Sequence, residues 1–239
     1  MKKTLYYLLC FAFFYNCKTD VQPLTFESIS AENDFEADIS LIYEEVKPNN
    51  DLTKSINNTI KSQIINSIDP DENDGSLEST LKKFNTEYLN FIDEFPDASS
   101  VKWELHTETE KMYQSENIIT MAISTYEYRG GAHGNDQIKL ININAKNGEL
   151  IKIPELINDT LKLKKVAQRY FIKELEKNNI SEKLEDYFFG RPFQLPENIG
   201  LSEEGLIMLY NTYEIASYAQ GYTEFIIPFE DALTLLEFN

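Results

Sequence analysis

Cysteine is nearly missing from this chain: Cys10 and Cys17 are the only two among 239 residues. Everything after Cys17 lacks a thiol for a disulfide, a nucleophile or a cysteine–zinc site, so the body must be held by its core. Histidine is equally scarce, with only His106 and His133. Two imidazoles cannot form a three-histidine zinc site, and no H-E-x-x-H, G-x-S-x-G or P-loop sequence occurs. The sequence therefore names no catalytic residue, no metal site and no cofactor. Basic residues are few, 22 against 40 acidic, for a formal charge of −18. That balance excludes nucleic acid as a partner, because phosphate contacts need a basic footprint. It suits a cationic partner drawn in by long-range attraction, and it equally suits an exported protein kept soluble by its acidity.

Long apolar runs are also lacking. The longest, Thr4–Tyr15, follows the basic "MKK" and falls short of the roughly 20 helical residues that span a bilayer. It reads as a secretion signal over residues 1–16. Cys17 directly behind it resembles the lipidated cysteine of a bacterial lipoprotein, although Asn16 departs from the small residue usual there. Ordinary signal cleavage, with Cys17 incidental, is the alternative. Without Lys2 and Lys3 the body carries −20. Val21–Val46 holds no Lys or Arg, and residues 17–36 read as a tether after the lipid. These features place the protein in the cell envelope, exported and held to a membrane only through its N-terminal lipid, on a periplasmic or surface face.

The body then shows clear periodicities. Ala37–Val46 reads as a strand. Ile56, Ile60, Ile64 and Ile68 recur every four residues behind Asn49 and Asn50, which marks a capped helix. Asp69–Ser76 breaks it, and Leu77, Leu81, Phe84, Tyr88, Phe91, Ile92 and Phe95 mark a second helix. From Val101 to Glu110 apolar and polar residues alternate, a strand with one wet face. Ile118–Tyr128 is β-branched and aromatic, and Asn147-Gly148 signals a hairpin. A third helix starts at Asn158, Asp159 or Thr160, and short strands close the chain. The order predicts an α+β fold, helices packed on one face of a mainly antiparallel sheet, in two closely associated sub-domains at 37–145 and 146–239.

Several stretches carry candidate chemistry. In Tyr126–Asn135, "YEYRGGAHGN", glycines surround His133 at the end of a strand-like run. A turn is the simpler reading, since a general base needs a nucleophile or activated water that the sequence does not name. Arg129, Gly130, Gly131, His133 and Gly134 are candidate ligand contacts there. His106 sits on the wet face of its strand. The loop from Asp69 has Asp71 and Asn73 at calcium-loop spacing, but Asp74 takes the glycine position and Thr80 that of the bidentate glutamate, so a polar connection is expected. Lys162, Lys165, Arg169 and Lys173 form a basic stripe, read as a solvated face. In "YNTYEIASYAQGY", Tyr210, Tyr213, Tyr218 and Tyr222 are either core or contact surface.

Three stretches, "YEYRGGAHGN", "ININAKNGELIKIPELI" and "GLIMLYNTYEIASYAQGYTEFIIPFEDAL", together resemble a known family. It is the domain shared by the lysozyme-sensing anti-sigma factor RsiV and the non-catalytic part of the peptidoglycan deacetylase PdaC, here over about Ala37 to Leu236. Ser217 stands where that family usually has proline. The resemblance implies a stand-alone binding module, with "MKK" alone ahead of the apolar run and no catalytic domain behind. Its expected partner is a cationic lytic enzyme such as lysozyme, or peptidoglycan, met by Arg129, Gly130, Gly131, His133 and Gly134 and by Tyr213, Tyr218 and Tyr222. The alternatives are an envelope hydrolase using His133 and a structural lipoprotein without a soluble ligand.

Overall fold

In the computed structural model, which describes residues 23–31, 34–72, 75–98, 101–177 and 184–237, the isoleucine stripe forms helix α1 (Asp51–Ile68). Ile56, Ile60, Ile64 and Ile68 are all buried. Asn50 fixes its start: the Asn50 side chain accepts from the Thr53 amide, and the Thr53 hydroxyl accepts from the Asn50 amide. Ser76 and Ser79 repeat this device at α2 (Leu77–Glu94). The two helices lie on one face of a six-stranded sheet. Its strands run in chain order: β1 (Thr25–Ala31), β2 (Asp38–Lys47), β3 (Glu104–Gln114), β4 (Ile118–Tyr128), β5 (Asn135–Asn144) and β6 (Leu150–Ile151). Trp103, just ahead of β3, and Leu105, Thr107 and Thr109 within it turn inward. Glu108 and Glu110 face water.

The fold is the α+β, mainly antiparallel arrangement expected from the sequence, and the structure refines that reading in two places and corrects the tether in a third. First, β2 and β3 are parallel, because α1 and α2 together make the crossover between them. Second, the strands divide into two sheets. The second has three antiparallel strands, β7 (Asn198–Leu201), β8 (Gly205–Tyr210) and β9 (Thr223–Pro228). Third, part of the stretch read as a tether is strand β1, paired along its length with β2. Phe26, Ile29 and Ala31 rest against the first core. Phe26 and Ile29 are three residues apart, off the period of two that marks a strand. Residues 1–16, read as a signal, and Cys17 lie outside the described residues.

After β6 come a single turn, α3 (Ile153–Leu156), and the long helix α4 (Thr160–Lys177). Asp159 caps α4 by accepting from the Lys162 amide at 2.9 Å. A last turn, α5 (Phe229–Ala232), follows β9. Phe171 of α4 is the hub of the second core, with the rings of Tyr187, Phe188, Phe193, Tyr210 and Phe225 around it. Each such side chain contributes about 1.5–3 kcal/mol by leaving water. The basic stripe of α4 is partly engaged: Arg169 pairs with Asp231 at 3.4 Å, and Lys173 lies over the Tyr170 ring.

The halves meet along β5. Strand β6 pairs only with Asn142 and Ile143, so the outer edge of β5 is open at Ile138 and Leu140. Unpaired backbone groups at a buried edge are costly. Asparagine side chains close it. Asn211 accepts from the Ile138 amide and donates to the Ile138 carbonyl, both at 2.9 Å. Asn198 accepts from the Leu140 amide at 2.9 Å. Behind them, Asn142 donates to the Ile199 carbonyl and accepts from the Thr120 hydroxyl, both at 2.8 Å. The Thr120 oxygen in turn accepts from the Leu201 amide. Removing Asn142 strands a carbonyl and a hydroxyl in the interior. Asn142→Ala is therefore expected to cost about 2–4 kcal/mol in urea unfolding, whereas a solvent-side change such as Glu110→Ala should cost almost nothing.

Candidate functional site

The loop that joins β4 to β5 is built on glycine for two reasons. Gly130 and Gly131 have φ of 81° and 120°, a backbone that side chains resist. Gly134 has a different constraint. A Cβ there would lie 2.3 Å from the Tyr126 ring, so the ring needs the bare backbone to seat on. That seat is set by the strand register, in which Tyr126 pairs with His106 on one side and Asp136 on the other.

Around Tyr126 the outer face of the large sheet carries His106, and the loop that follows β4 carries His133. The His106 ring stacks beside Tyr126, 5.9 Å between centroids, and its Nδ1 is 2.8 Å from the Ser40 hydroxyl. Glu104 approaches its Nε2 at 3.7 Å. A hollow of about 220 Å³ lies here, lined by Ser40, Ile42, His106, Glu108, Tyr126 and Asp136. At the loop, His133 stacks on Tyr218 with centroids 4.2 Å apart and planes within 19°. Tyr213 follows at 5.6 Å from Tyr218. Tyr213 and Tyr218 are 55% and 38% exposed, which makes them surface rather than core. Partial burial and the Glu104 carboxylate hold the Tyr126 hydroxyl above its ordinary range. Burial, then Asp136, does the same to Tyr222. Both phenols stay protonated, and the negative charge of the patch belongs to its carboxylates.

His133 is thus a stacked loop residue. Its Nδ1 donates to the Gly134 carbonyl at 2.8 Å, and no carboxylate or hydroxyl among the described residues pairs with it. Among the described residues no three histidine, cysteine or acidic groups converge as a metal site. Asp69 of the calcium-like loop is committed to Lys83 at 2.5 Å.

Two sequence candidates fall elsewhere. Arg129 turns to the helix side. It bonds Glu87 at 2.6 Å and also Glu127, and its guanidinium covers the Phe84 and Trp103 rings at 4.8 and 5.1 Å. It latches the loop to α2 and does not share the surface of His133. Tyr210 is fully buried, with its hydroxyl donating to the Gln194 carbonyl. Sequence reasoning passed over Tyr126 as a contact, although the hairpin register that sets it opposite Asp136 was readable. It also passed over Glu214, whose carboxylate accepts from the Glu197 and Asn211 amides and so shapes the segment that presents Tyr213 and Tyr218. Ser217 has φ −69° and ψ 158°, the conformation proline would impose, so the departure at 217 leaves the turn intact.

Residues 30–136 match the family model described as deacetylase PdaC, and residues 154–230 match the one described as "Protein of unknown function (DUF3298)". Among solved structures, a member of the DUF3298 family from Bacteroides fragilis superposes with a TM-score of 0.70 at 19% identity, covering 90% of this chain and 94% of its own. A DUF3298 family protein from Pseudomonas aeruginosa gives 0.67 at 17% identity, over 90% of this chain and 95% of its own. At those identities the likeness shows the fold alone. No curated protein matches the sequence.

The seat of Tyr126 supplies a direct check. Gly134→Ala should destabilise the protein by about 1–3 kcal/mol through the clash with that ring. The near-ultraviolet tyrosine signal should change with it, while Ala132→Gly in the same loop should alter neither.

Proposed function

Since the chain belongs to the domain family of PdaC and RsiV, whose matched PdaC part is the non-catalytic one, we propose that it is a lipid-anchored, extracytoplasmic module of the cell envelope that captures a cationic lytic enzyme of the lysozyme type. The observation that carries this reading is the His133–Tyr218–Tyr213 stack, exposed next to Tyr126 and Tyr222, with the Asp136 carboxylate close to both of those phenols. Tyrosines of this kind supply contact area at interfaces, and a few such residues dominate binding energy. The carboxylates around them, within a molecule of charge −18, speed encounter with a basic protein and repel an anionic one. An anionic glycan fits that field less well than a basic enzyme does. The hydrolase alternative gains no support, because among the described residues the ring of His133 is hydrogen-bonded only to a backbone carbonyl and no nucleophile or carboxylate is paired with it. Anchoring through Cys17 belongs to the same proposal and rests on the sequence alone.

Calorimetric titration of the purified protein with a c-type lysozyme, at low and at physiological salt, tests this. Saturable binding that survives physiological salt is expected. Tyr218→Ala should weaken it about 30-fold or more, the scale of a hot-spot residue. Binding that vanishes at physiological salt, or that ignores Tyr218→Ala, would reduce the acidity to a matter of solubility.

A further inference from the structure

A second site lies on the opposite, helix-facing side of the sheet. Where α1 ends, a cleft of about 290 Å³ opens between that helix, the edge of β5 and the start of β7. This is at the lower end of the range for small-molecule sites, ~300–1,000 Å³. Lys139 and Thr125 rise from its floor, facing the same way because β4 and β5 pair Ile123 with Lys139 and Thr125 with Gln137. Both are anomalous for a site with no ligand. Lys139 is half-buried and donates to the Asn66 side chain at 2.6 Å, but no carboxylate among the described residues lies within ion-pair distance of it. Lys61, Lys83 and Arg129, by contrast, are each matched to an acid. Burial alone pulls the Lys139 amine below the usual lysine range. Thr125 is 5% exposed, and its hydroxyl has no hydrogen-bond partner among the described residues. An unmatched cation and an unmatched buried hydroxyl in one cleft ask for the same thing, a small oxygen anion.

The rest of the cleft narrows the class. Glu197 lines the wall at the start of β7, and Glu214 holds that wall from behind through the Glu197 amide. A cation is favoured there. We infer that the cleft between α1, β5 and β7 binds a small zwitterion, an amino acid or dipeptide, with its carboxylate on Lys139 and Thr125 and its ammonium toward Glu197. Such a ligand has no net charge, so it approaches a molecule of −18 without the repulsion a dianion would meet. None of the rings of the aromatic surface lines this cleft, although Asn211 and Glu214 brace both, and the inference stands whether or not that surface captures a lytic enzyme.

The test is titration of the purified full chain with glycylglycine, glycine, acetate, methylammonium and inorganic phosphate at fixed ionic strength, followed by amide NMR. Glycylglycine is expected to shift the signals of Thr125, Lys139 and Glu197 saturably, ahead of acetate and far ahead of phosphate. Lys139→Met should weaken glycylglycine about tenfold or more, the scale of one charged hydrogen bond. Glu197→Gln should weaken glycylglycine and leave acetate unchanged. If Lys139→Met does not fold, Lys139→Gln and the wild-type titration carry the decision. Absence of saturable shifts with every probe would overturn the inference. So would phosphate outcompeting glycylglycine, or binding that ignores the change at Lys139.

Discussion

Two asparagine side chains stand in for a strand that is missing from the edge of β5. Asn211 exchanges both of its bonds with the backbone of Ile138, as a neighbouring strand would, and Asn198 takes the amide of Leu140. Asn142 and Thr120 then bind the backbone of β7 from beneath. Apolar packing alone would let the two cores slide, because hydrophobic contact has no direction. Hydrogen bonds to named backbone atoms do have direction, and one residue of slip would break several at once. Everything that lies across the seam inherits its position from them.

The aromatic surface is one such dependent feature. His133 belongs to the β4–β5 loop of the first half, and Tyr218 with Tyr213 to the segment between β8 and β9 of the second. Asn211 both closes the β5 edge and begins the segment that presents the tyrosines. The 4.2 Å stack of His133 on Tyr218 therefore exists only when the halves are in register. Two further constraints sharpen it. Glu214 fixes the segment by accepting two amides, and Tyr213 is held at φ 66°, a conformation costly for a bulky residue and tolerated where the surroundings over-determine it.

Much of this was legible in the sequence wherever a single element decides it. The four isoleucines of α1, the alternation from Trp103 to Thr109 and the Asn-Gly hairpin are local patterns, and local geometry honours them. Strand β1 escaped because Phe26 and Ile29 break the period, and it lies within a stretch that has acids but no Lys or Arg from Val21 on and so resembles a tether. The four tyrosines from 210 to 222 escaped for a related reason. Tyr210 ends a strand and faces the core, but the chain then leaves the strand, so alternation no longer says where Tyr213 and Tyr218 point. The partners of Arg129, namely Glu87, Phe84 and Trp103, could not be read locally because they are distant in sequence. The asparagine seam and the Lys139 cleft were invisible for the same cause, since a side chain bound to remote backbone leaves no local signature.

The central claim is that one binding surface is assembled from both halves across the seam. Its most direct test is the amide NMR footprint of a saturating basic partner, c-type lysozyme, on the isotopically labelled protein. The account predicts that signals of the His133 loop and of the Tyr213–Tyr222 segment shift together, at the same partner concentration. Shifts confined to one half, or centred on the helix face around α1 and α2, would contradict it.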